Sequence, residues 1–590
     1  MTHKAELSAR LVWLVIVPIH FVCIVLYGCV ALAYHILPDT VLCSCSRFTN
    51  AVCSSNIYDA CTEALASTPS AESIGEASRI KVRSISTIQP LGFFGVGGKH
   101  FALLFLIREA TETVLQSIQA YFLSVYAPRV WLNRLAVVAV TISCWSTPAI
   151  HRVFHRNPRL ELILCLLFDI VLDFVSSVGL PIVFAALYGP AYDPVYTDFK
   201  LANWLDKVWV ANMNNEFRLI FVQSWLDFVG RILFAVTLLM CLDDVKYLAA
   251  SSKGINRTWR SGITESSHHA VAISARWSQR IETVAHTILI VWGVVILTLH
   301  LESSISSHDN VLGCMVQVHP WAYSRTACIY MDIDCANRQP VMAGNAAELE
   351  ATWSEIDPRA LRILIFRNCP TFHMPQSIRQ FPQLTALYLY NLTVVEWSEA
   401  AALSRSYHPN MRQVTMTKVD MGVFANTSIL PSGLLAPDFP QTLGTVFIYT
   451  CNVGDLPSNL DNIWPKGINM IFAANGATRV PTVFLRMQLI RLTLSYNRIT
   501  ELPPELFQIP SLQWLEVPNN PINEFPARVD TPSTTLKRLD FGSTNVSALP
   551  GWMTTQHFNQ VDLHGAGTPF CKALVSKQNS SIAGKYGCAR

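Results

Sequence analysis

The chain has 590 residues, several times a single-domain length, of which 51% are apolar and 14% charged, an apolar excess that has to be kept from water somewhere. Lys plus Arg number 44 against 41 Asp plus Glu, a net charge of +3, so there is no electrostatic case for nucleic acid. Catalytic signatures are missing as well. GFFGVGGKH, Gly92 to His100, puts Phe93 where a phosphate loop needs its first glycine and His100 where it needs Ser or Thr, and no H-E-x-x-H, G-x-S-x-G or kinase set occurs. The expectation is a non-enzyme with no cofactor, no metal and no catalytic residues.

The apolar excess sits in the first half. Lys4 and Arg10 precede an apolar run from Leu11 to Leu37, which reads as an uncleaved first helix, although Ala31-Leu32-Ala33 offers a cleavage site. A polar loop, about 38 to 97, follows with Cys43, Cys45, Cys53 and Cys61. From 99 to 126, Arg108, Glu112, Gln116 and Gln119 recur at spacings of three and four among Phe, Leu and Val, an amphipathic helix with one polar stripe. It either spans with its stripe toward other helices or lies in the interface plane. Further apolar windows cover 130–148, 160–187, 217–242 and 282–301, and roughly 20 apolar residues cross a bilayer core of about 30 Å. Residues 1–302 are therefore expected to be an all-α multi-pass transmembrane region of five or six helices.

Three arginines and no acid lie in 151–159, and six Lys or Arg against three acids in 243–280, which makes both loops cytoplasmic and everything after Leu301 external. That places the chain at the plasma membrane with its C-terminal half extracellular. The loop 188–215, with Asp193, Asp198 and Asp206, is external on the same count. Inside the windows, Arg108 and Glu112, Asp169 and Asp173, and Asp227 and Arg231 are each four apart, so each pair shares a helix face. Such residues either line an ion path or pair between helices to fix packing, the commoner case.

From Leu361 an L-x-x-L-x-L frame recurs, most clearly in LIRLTLSYNRITELPPELF from Leu489, LQWLEVPNNPINEFP from Leu512 and LKRLDFGSTNVSALP from Leu536. Weaker copies start at Leu361, Leu384, Met411, Leu443, Ile468 and Phe558, so nine copies stand 21 to 32 residues apart, a leucine-rich-repeat period. One copy cannot bury its leucines alone, whereas stacked copies form a curved α/β-type solenoid with a parallel sheet on its concave face. Asn497 and Asn520 are placed to bond the backbone of the turn. Residues 361–564 are the repeats, 303–360 an N-terminal cap with Cys314, Cys328 and Cys335, and 565–590 a C-terminal cap in which Cys571 pairs with Cys588.

Residues between the inward leucines project from the concave sheet. Tyr388, Tyr390, Phe447, Tyr449 and Phe472 make its N-terminal part aromatic, and Glu516, Asp540 and Asp562 its C-terminal part acidic. That surface would suit a protein or peptide with an apolar segment and basic residues; the alternative is that aromatics simply favour strands. Sequons at Asn391, Asn426, Asn545 and Asn579 fit an external, glycosylated face, while Asn256 falls in a cytoplasmic loop.

KHFALLFLIREATETVLQSIQAYFLSVYAPRVWLNR and FDIVLDFVSSVGLPIVFAALYGPAYD, followed by the repeats, resemble multi-pass leucine-rich-repeat proteins of oomycetes, over about Gly98 to the C-terminus. That resemblance implies the two-part architecture and brings no activity to particular residues. The repeats are also similar to those of animal volume-regulated anion channels, where the solenoid is cytoplasmic; the sequons and terminal cysteines argue against that arrangement. Two functions follow: a cell-surface, receptor-like or adhesive protein that binds a protein or peptide, with a signalling co-receptor or a second copy as further partner, or a channel or transporter regulated or assembled through its repeats.

Overall fold

The structure, a computed structural model, describes residues 101–193, 198–200, 202–203, 206–220, 228–230, 232–233, 268–306, 311–321, 323, 325–338, 341–424, 430–453, 455–554, 561–576 and 586–588. The expected helix at 11–37, the first loop with its cysteines, Asp227, Arg231, Asn256, Asn426 and Asn579 lie outside the described residues. The chain divides into two compact units, one of residues 1–308 and 318–323 and one of 309–317 and 324–590.

In the first unit, α1 covers Phe101–Tyr126, α2 Val130–Phe154, α3 Pro158–Phe174, α4 Leu180–Tyr188, α5 Lys207–Ile220 and α6 His268–Ser306. Helices stand in the windows expected at 99–126, as α1, and at 160–187, where a π turn over Val175–Gly179 separates α3 from α4. Pro181 stands two residues after the end of that turn; a proline ring displaces the carbonyl four residues back, and a widened turn accommodates that. Helix α2 runs six residues past the expected end at 148 and takes Pro148 into its interior. Helix α5 starts ten residues before the expected 217, inside what reads from sequence as an external loop, because the Asp206 carboxylate accepts the N–H groups of Val208 and Trp209 at 2.9 and 3.1 Å and so caps a helix there. Helix α6 has 39 residues, about twice a bilayer crossing. Among the described residues two helices are long and apolar enough to cross a membrane, Val130–Phe154 and Arg280–Ile305, fewer than the five or six expected.

Helix α1 packs with its polarity reversed. Arg108, Glu109, Glu112, Thr113, Gln116 and Ser117 are all buried, while Ile107 and Val114 are each 54% exposed and Ile118, Tyr121 and Phe122 also face outward. A helix at a water surface turns its apolar stripe inward; this one does the opposite.

The second unit is one sheet whose strands follow chain order: β1 Cys314–Val318, β2 Ala327–Asp334, β3 Ile363–Arg367, β4 Ala386–Glu396, β5 Gln413–Asp420, β6 Thr445–Tyr449, β7 Asn469–Ala473, β8 Arg491–Thr493, β9 Trp514–Glu516, β10 Arg538–Asp540 and β11 Asp562–His564. From β2 to β11 every neighbour is parallel. One leucine-type residue per strand, Leu364, Leu387, Val414, Val446, Met470, Leu492, Leu515 and Leu539 among them, falls in register and is buried in a single continuous core.

One residue at the same offset in each repeat is left-handed: Asn368, Asn391, Lys418, Thr450, Ala474, Tyr496, Asn519, Ser543 and Gly567 all have φ between 48° and 80°. The strain of a side chain there is offset by continuation of the ladder, since the N–H groups of Asn368, Thr450, Ala474, Tyr496, Asn519 and Ser543 donate to carbonyls of the next repeat at 2.7–3.1 Å. In the following position the Asn497 amide donates to Phe472 O and Leu494 O at 2.8 and 2.9 Å and accepts from Asn475 N and Ala477 N at 2.9 and 3.2 Å. Asn520 and Asn475 repeat the pattern against Ile499 N and Cys451 N.

The N-terminal cap is an extension of the sheet. Residues 303–306 still belong to α6, and β1, β2 and a short helix, α7, over Ala346–Trp353 fill the segment before β3. Asn345 caps α7 by accepting Glu348 N at 3.0 Å, while the Glu348 carboxylate takes Gly344 N at 2.9 Å, a reciprocal cap. Disulfides join Cys314 to Cys328 and Cys335 to Cys369. At the other end Cys571, in α8 (Pro569–Ser576), is bonded to Cys588.

Candidate functional site

Strand register assigns the concave positions. Ile365, Tyr388, Thr415, Phe447, Ile471, Thr493, Glu516, Asp540 and His564 occupy one row across the sheet. Two expected positions are corrected. Phe472 is in the core, fully buried against Phe484 with ring centres 5.8 Å apart, and Ile471 takes its place. Asp562 pairs with Arg538, so it stays concave but one row away, and His564 stands beside Asp540. The fifth frame starts at Gly467, one residue before the apolar residue that marks it in the sequence, and the pairing of Asp562 with Arg538 sets the ninth two residues later than its marker.

At the N-terminal end the aromatics are covered. Tyr388 is 6% exposed and stacks on Tyr390 at 6.0 Å; burial pushes its hydroxyl pKa up. Arg367 forms an ion pair with Asp332, whose pKa is raised by burial against the pull of that guanidinium. Tyr449 is 38% exposed and Phe447 half-buried. Across β5, β6 and β7 the concave positions are Gln413, Thr415, Thr417, Thr445, Phe447, Tyr449, Asn469, Ile471 and Ala473, without a charge among them.

The C-terminal end is less acidic than its carboxylates suggest. Glu516 accepts Arg491 Nη2 at 2.8 and 2.9 Å and the Thr493 hydroxyl at 2.7 Å. Arg491 also lies 5.0 Å over the Trp514 ring, Asp562 accepts His564 Nε2 at 2.9 Å, and Asp540 accepts Gly542 N at 2.9 Å. Arg491, Trp514 and Arg538 form a row of their own.

The sequons at Asn391 and Asn545 are exposed, each amide donating to a neighbouring asparagine, Asn368 Oδ1 at 2.7 Å and Asn523 Oδ1 at 3.3 Å.

In the helical unit the intrahelical pairs resolve into one cluster. Arg108 Nη2 meets Asp169 Oδ2 at 2.9 Å and Arg108 Nε meets Glu112 Oε1 at 3.3 Å. Gln116 Nε2 donates to Asp173 Oδ1 at 2.9 Å, so α1 and α3 are joined by a ladder of charge and amide in which all five side chains are buried. Two further clusters escaped the sequence reading. Glu216 on α5, fully buried, takes Arg129 Nε at 3.0 Å and the Tyr188 hydroxyl at 2.6 Å; it lies between the loop expected at 188–215 and the helix expected from 217. His151 Nδ1 lies 2.6 Å from Glu161 Oε1 and its ring 5.0 Å from His286, which joins α2, α3 and α6.

Nine stacked copies in register, each with one left-handed residue, decide the architecture. The C-terminal half has a leucine-rich-repeat-like fold. No protein-family model matches the chain, and no curated protein is similar to it. Solved structures with partial likeness include a leucine-rich-repeat protein of Leptospira interrogans, 17% identical over 39% of this chain and 60% of that one, with a TM-score of 0.27. The leucine-rich repeat domain of the type III effector XopL is 12% identical over 47% of this chain and 86% of its own, with a TM-score of 0.23. YopM from Yersinia enterocolitica is 17% identical over 36% and 42%, with a TM-score of 0.20. This chain thus spans less than two thirds of the Leptospira chain and of YopM.

Proposed function

We propose that the chain is a multi-pass membrane protein, set in the plasma membrane with its repeats outside the cell, that recognises a protein or peptide on the concave sheet. Its role is receptor-like or adhesive. The observation that carries recognition is the charge-free stretch on β5 to β7, where Phe447, Tyr449 and Ile471 stand open or half open; exposed aromatics of this kind desolvate readily and anchor partners. The reversed polarity of α1 and the outward apolar residues of α6, such as Ile281, Val284, Ile288 and Val291, support the lipid environment. The exposed sequons support an external repeat domain.

The test uses the full chain in lipid nanodiscs, panned against a displayed library of random dodecapeptides. Enrichment over empty discs that is lost in the Phe447→Ala, Tyr449→Ala double variant supports the reading; no enrichment, or enrichment indifferent to that change, overturns it. Protease protection in sealed vesicles, with glycosidase band shifts, tests the side.

The alternative is a channel or transporter. Among the described residues the α1–α3 cluster sets four carboxyl groups, Glu109, Glu112, Asp169 and Asp173, around one guanidinium, Arg108, and such excess is a feature of ion paths. Asp169→Asn and Asp173→Asn that leave folding intact and remove an ion current would establish it.

A further inference from the structure

We infer that the concave face holds an acid-binding subsite at Arg538, and that the polypeptide it takes combines an uncharged apolar stretch with an acidic side chain about six residues away. This rests on concave-face recognition as proposed above. Arg538 sits half-buried on β10, in register between Trp514 and Asp562. Its Nε is buried and meets no acceptor, and among the described residues its guanidinium forms no ion pair, in contrast to Arg491, which is held by Glu516. The three carboxylates around it are already engaged: Glu516 by Arg491 and Thr493, Asp562 by His564, Asp540 by the Gly542 N–H.

A buried donor without an acceptor is costly, and a charge-assisted bond to a carboxylate is among the strongest remedies. Trp514 beside it supplies an apolar wall that keeps water away from such a pair. Each of those acids already has a donor, whereas the Arg538 Nε has no acceptor.

Spacing sets the ligand's length. From β6, which carries Phe447 and Tyr449, to β10 is four strand steps of about 4.8 Å, roughly 19 Å, which an extended chain at about 3.3 Å per residue covers in about six residues.

The experiment pans the random dodecapeptide library on full-length chain in nanodiscs, wild type against Arg538→Glu and Arg538→Lys. The expected result is enrichment of Asp or Glu about six positions from an aromatic or aliphatic run. Arg538→Glu should select Lys or Arg at that position instead and bind the acidic peptides at least about tenfold more weakly, while Arg538→Lys keeps the acidic preference. Enriched peptides without an acid, or a profile unchanged in Arg538→Glu, overturn the subsite. If the profile is unchanged in Arg538→Glu yet abolished by Phe447→Ala, Tyr449→Ala, the subsite falls and concave recognition stands; if nothing is enriched, both fall.

Discussion

The helical unit and the repeat unit bury polar groups in opposite ways. In the first, the buried stripe of α1 carries Arg108 and Gln116, which bond carboxyl groups on α3, and apolar residues face out. In the second, apolar side chains fill the interior and its recurring polar column is made of neutral amides, Asn475, Asn497 and Asn520, fixed by backbone partners. The difference is the one that the proposed setting, helices in lipid and repeats in water, would require. An interior dry on all sides and walled by water accepts only groups whose bonds are all met, whereas inside an apolar surrounding the helix interface is the most polar place a charge can find.

The comparison breaks first at Asp169. Replacing it by Ala takes from Arg108, 8% exposed, the carboxylate that its Nη2 meets at 2.9 Å, and removal of one member of a buried pair costs about 3–5 kcal/mol. Thermal unfolding of the detergent-solubilised chain should show a large loss, and an unchanged midpoint would mean that the cluster is wet. Next is Asn497→Ala, which strips partners from Phe472 O, Leu494 O, Asn475 N and Ala477 N and should cost about 3 kcal/mol. Repeats couple mainly to their neighbours, so hydrogen exchange should rise around β7 and β8 and leave β3 and β4 protected. Asn545→Ala, an exposed amide, is the control within about 0.5 kcal/mol.

Much of this was legible in the sequence because a period of 21 to 32 residues leaves apolar markers at fixed offsets. The frame failed where the markers are missing. Gly467 stands where the fifth copy needs its first leucine, and Ile468 next to it offers a false one; a shift of one residue exchanges the two faces of a strand, which is why Phe472 belongs to the core. In the ninth copy Gln560 and Gly565 replace two leucines, and a slip of two keeps the face but changes the row, so Asp562 remains concave. The central row and the one after it do not contain Arg491, Trp514 and Arg538, and so omit the cation that pairs with Glu516 and the one left without an acid. In the helical unit, apolar runs marked α1 to α4, but the start of α5 turned on the Asp206 cap, which a charge count assigned to a loop.

Smaller effects separate the ends of the repeat unit from its middle. Cys571→Ser should cost about 2–3 kcal/mol from the opened 17-residue separation, with α8 exchanging before the body of the sheet, as monitored by hydrogen exchange with and without reductant. His408, fully buried, has its pKa lowered by burial, with Nδ1 accepting Ser404 N at 3.3 Å and Nε2 facing Ile378 O at 3.0 Å. The unfolded chain therefore takes up a proton at a higher pH than the folded one, so His408 favours the fold above its ordinary value of about 6.5 and weakens it as pH falls below that. His408→Gln should flatten the decline of the repeat unit's unfolding midpoint between about pH 6.5 and 5; an identical slope would show that other groups set it.

The smallest stability effect belongs to Tyr449. Its ring is 38% exposed at the end of β6 and, among the described residues, has no ion pair or buried hydrogen bond to lose. Tyr449→Ala should therefore leave the unfolding midpoint unchanged, within about 0.5 kcal/mol, where Tyr388→Ala, a buried ring stacked on Tyr390, should cost about 3 kcal/mol. A residue that contributes little to its own fold yet keeps an aromatic ring on an uncharged surface is free to serve a partner. Loss of peptide capture in Tyr449→Ala with an intact melt would locate recognition on β6, while a destabilised melt would return the ring to the fold.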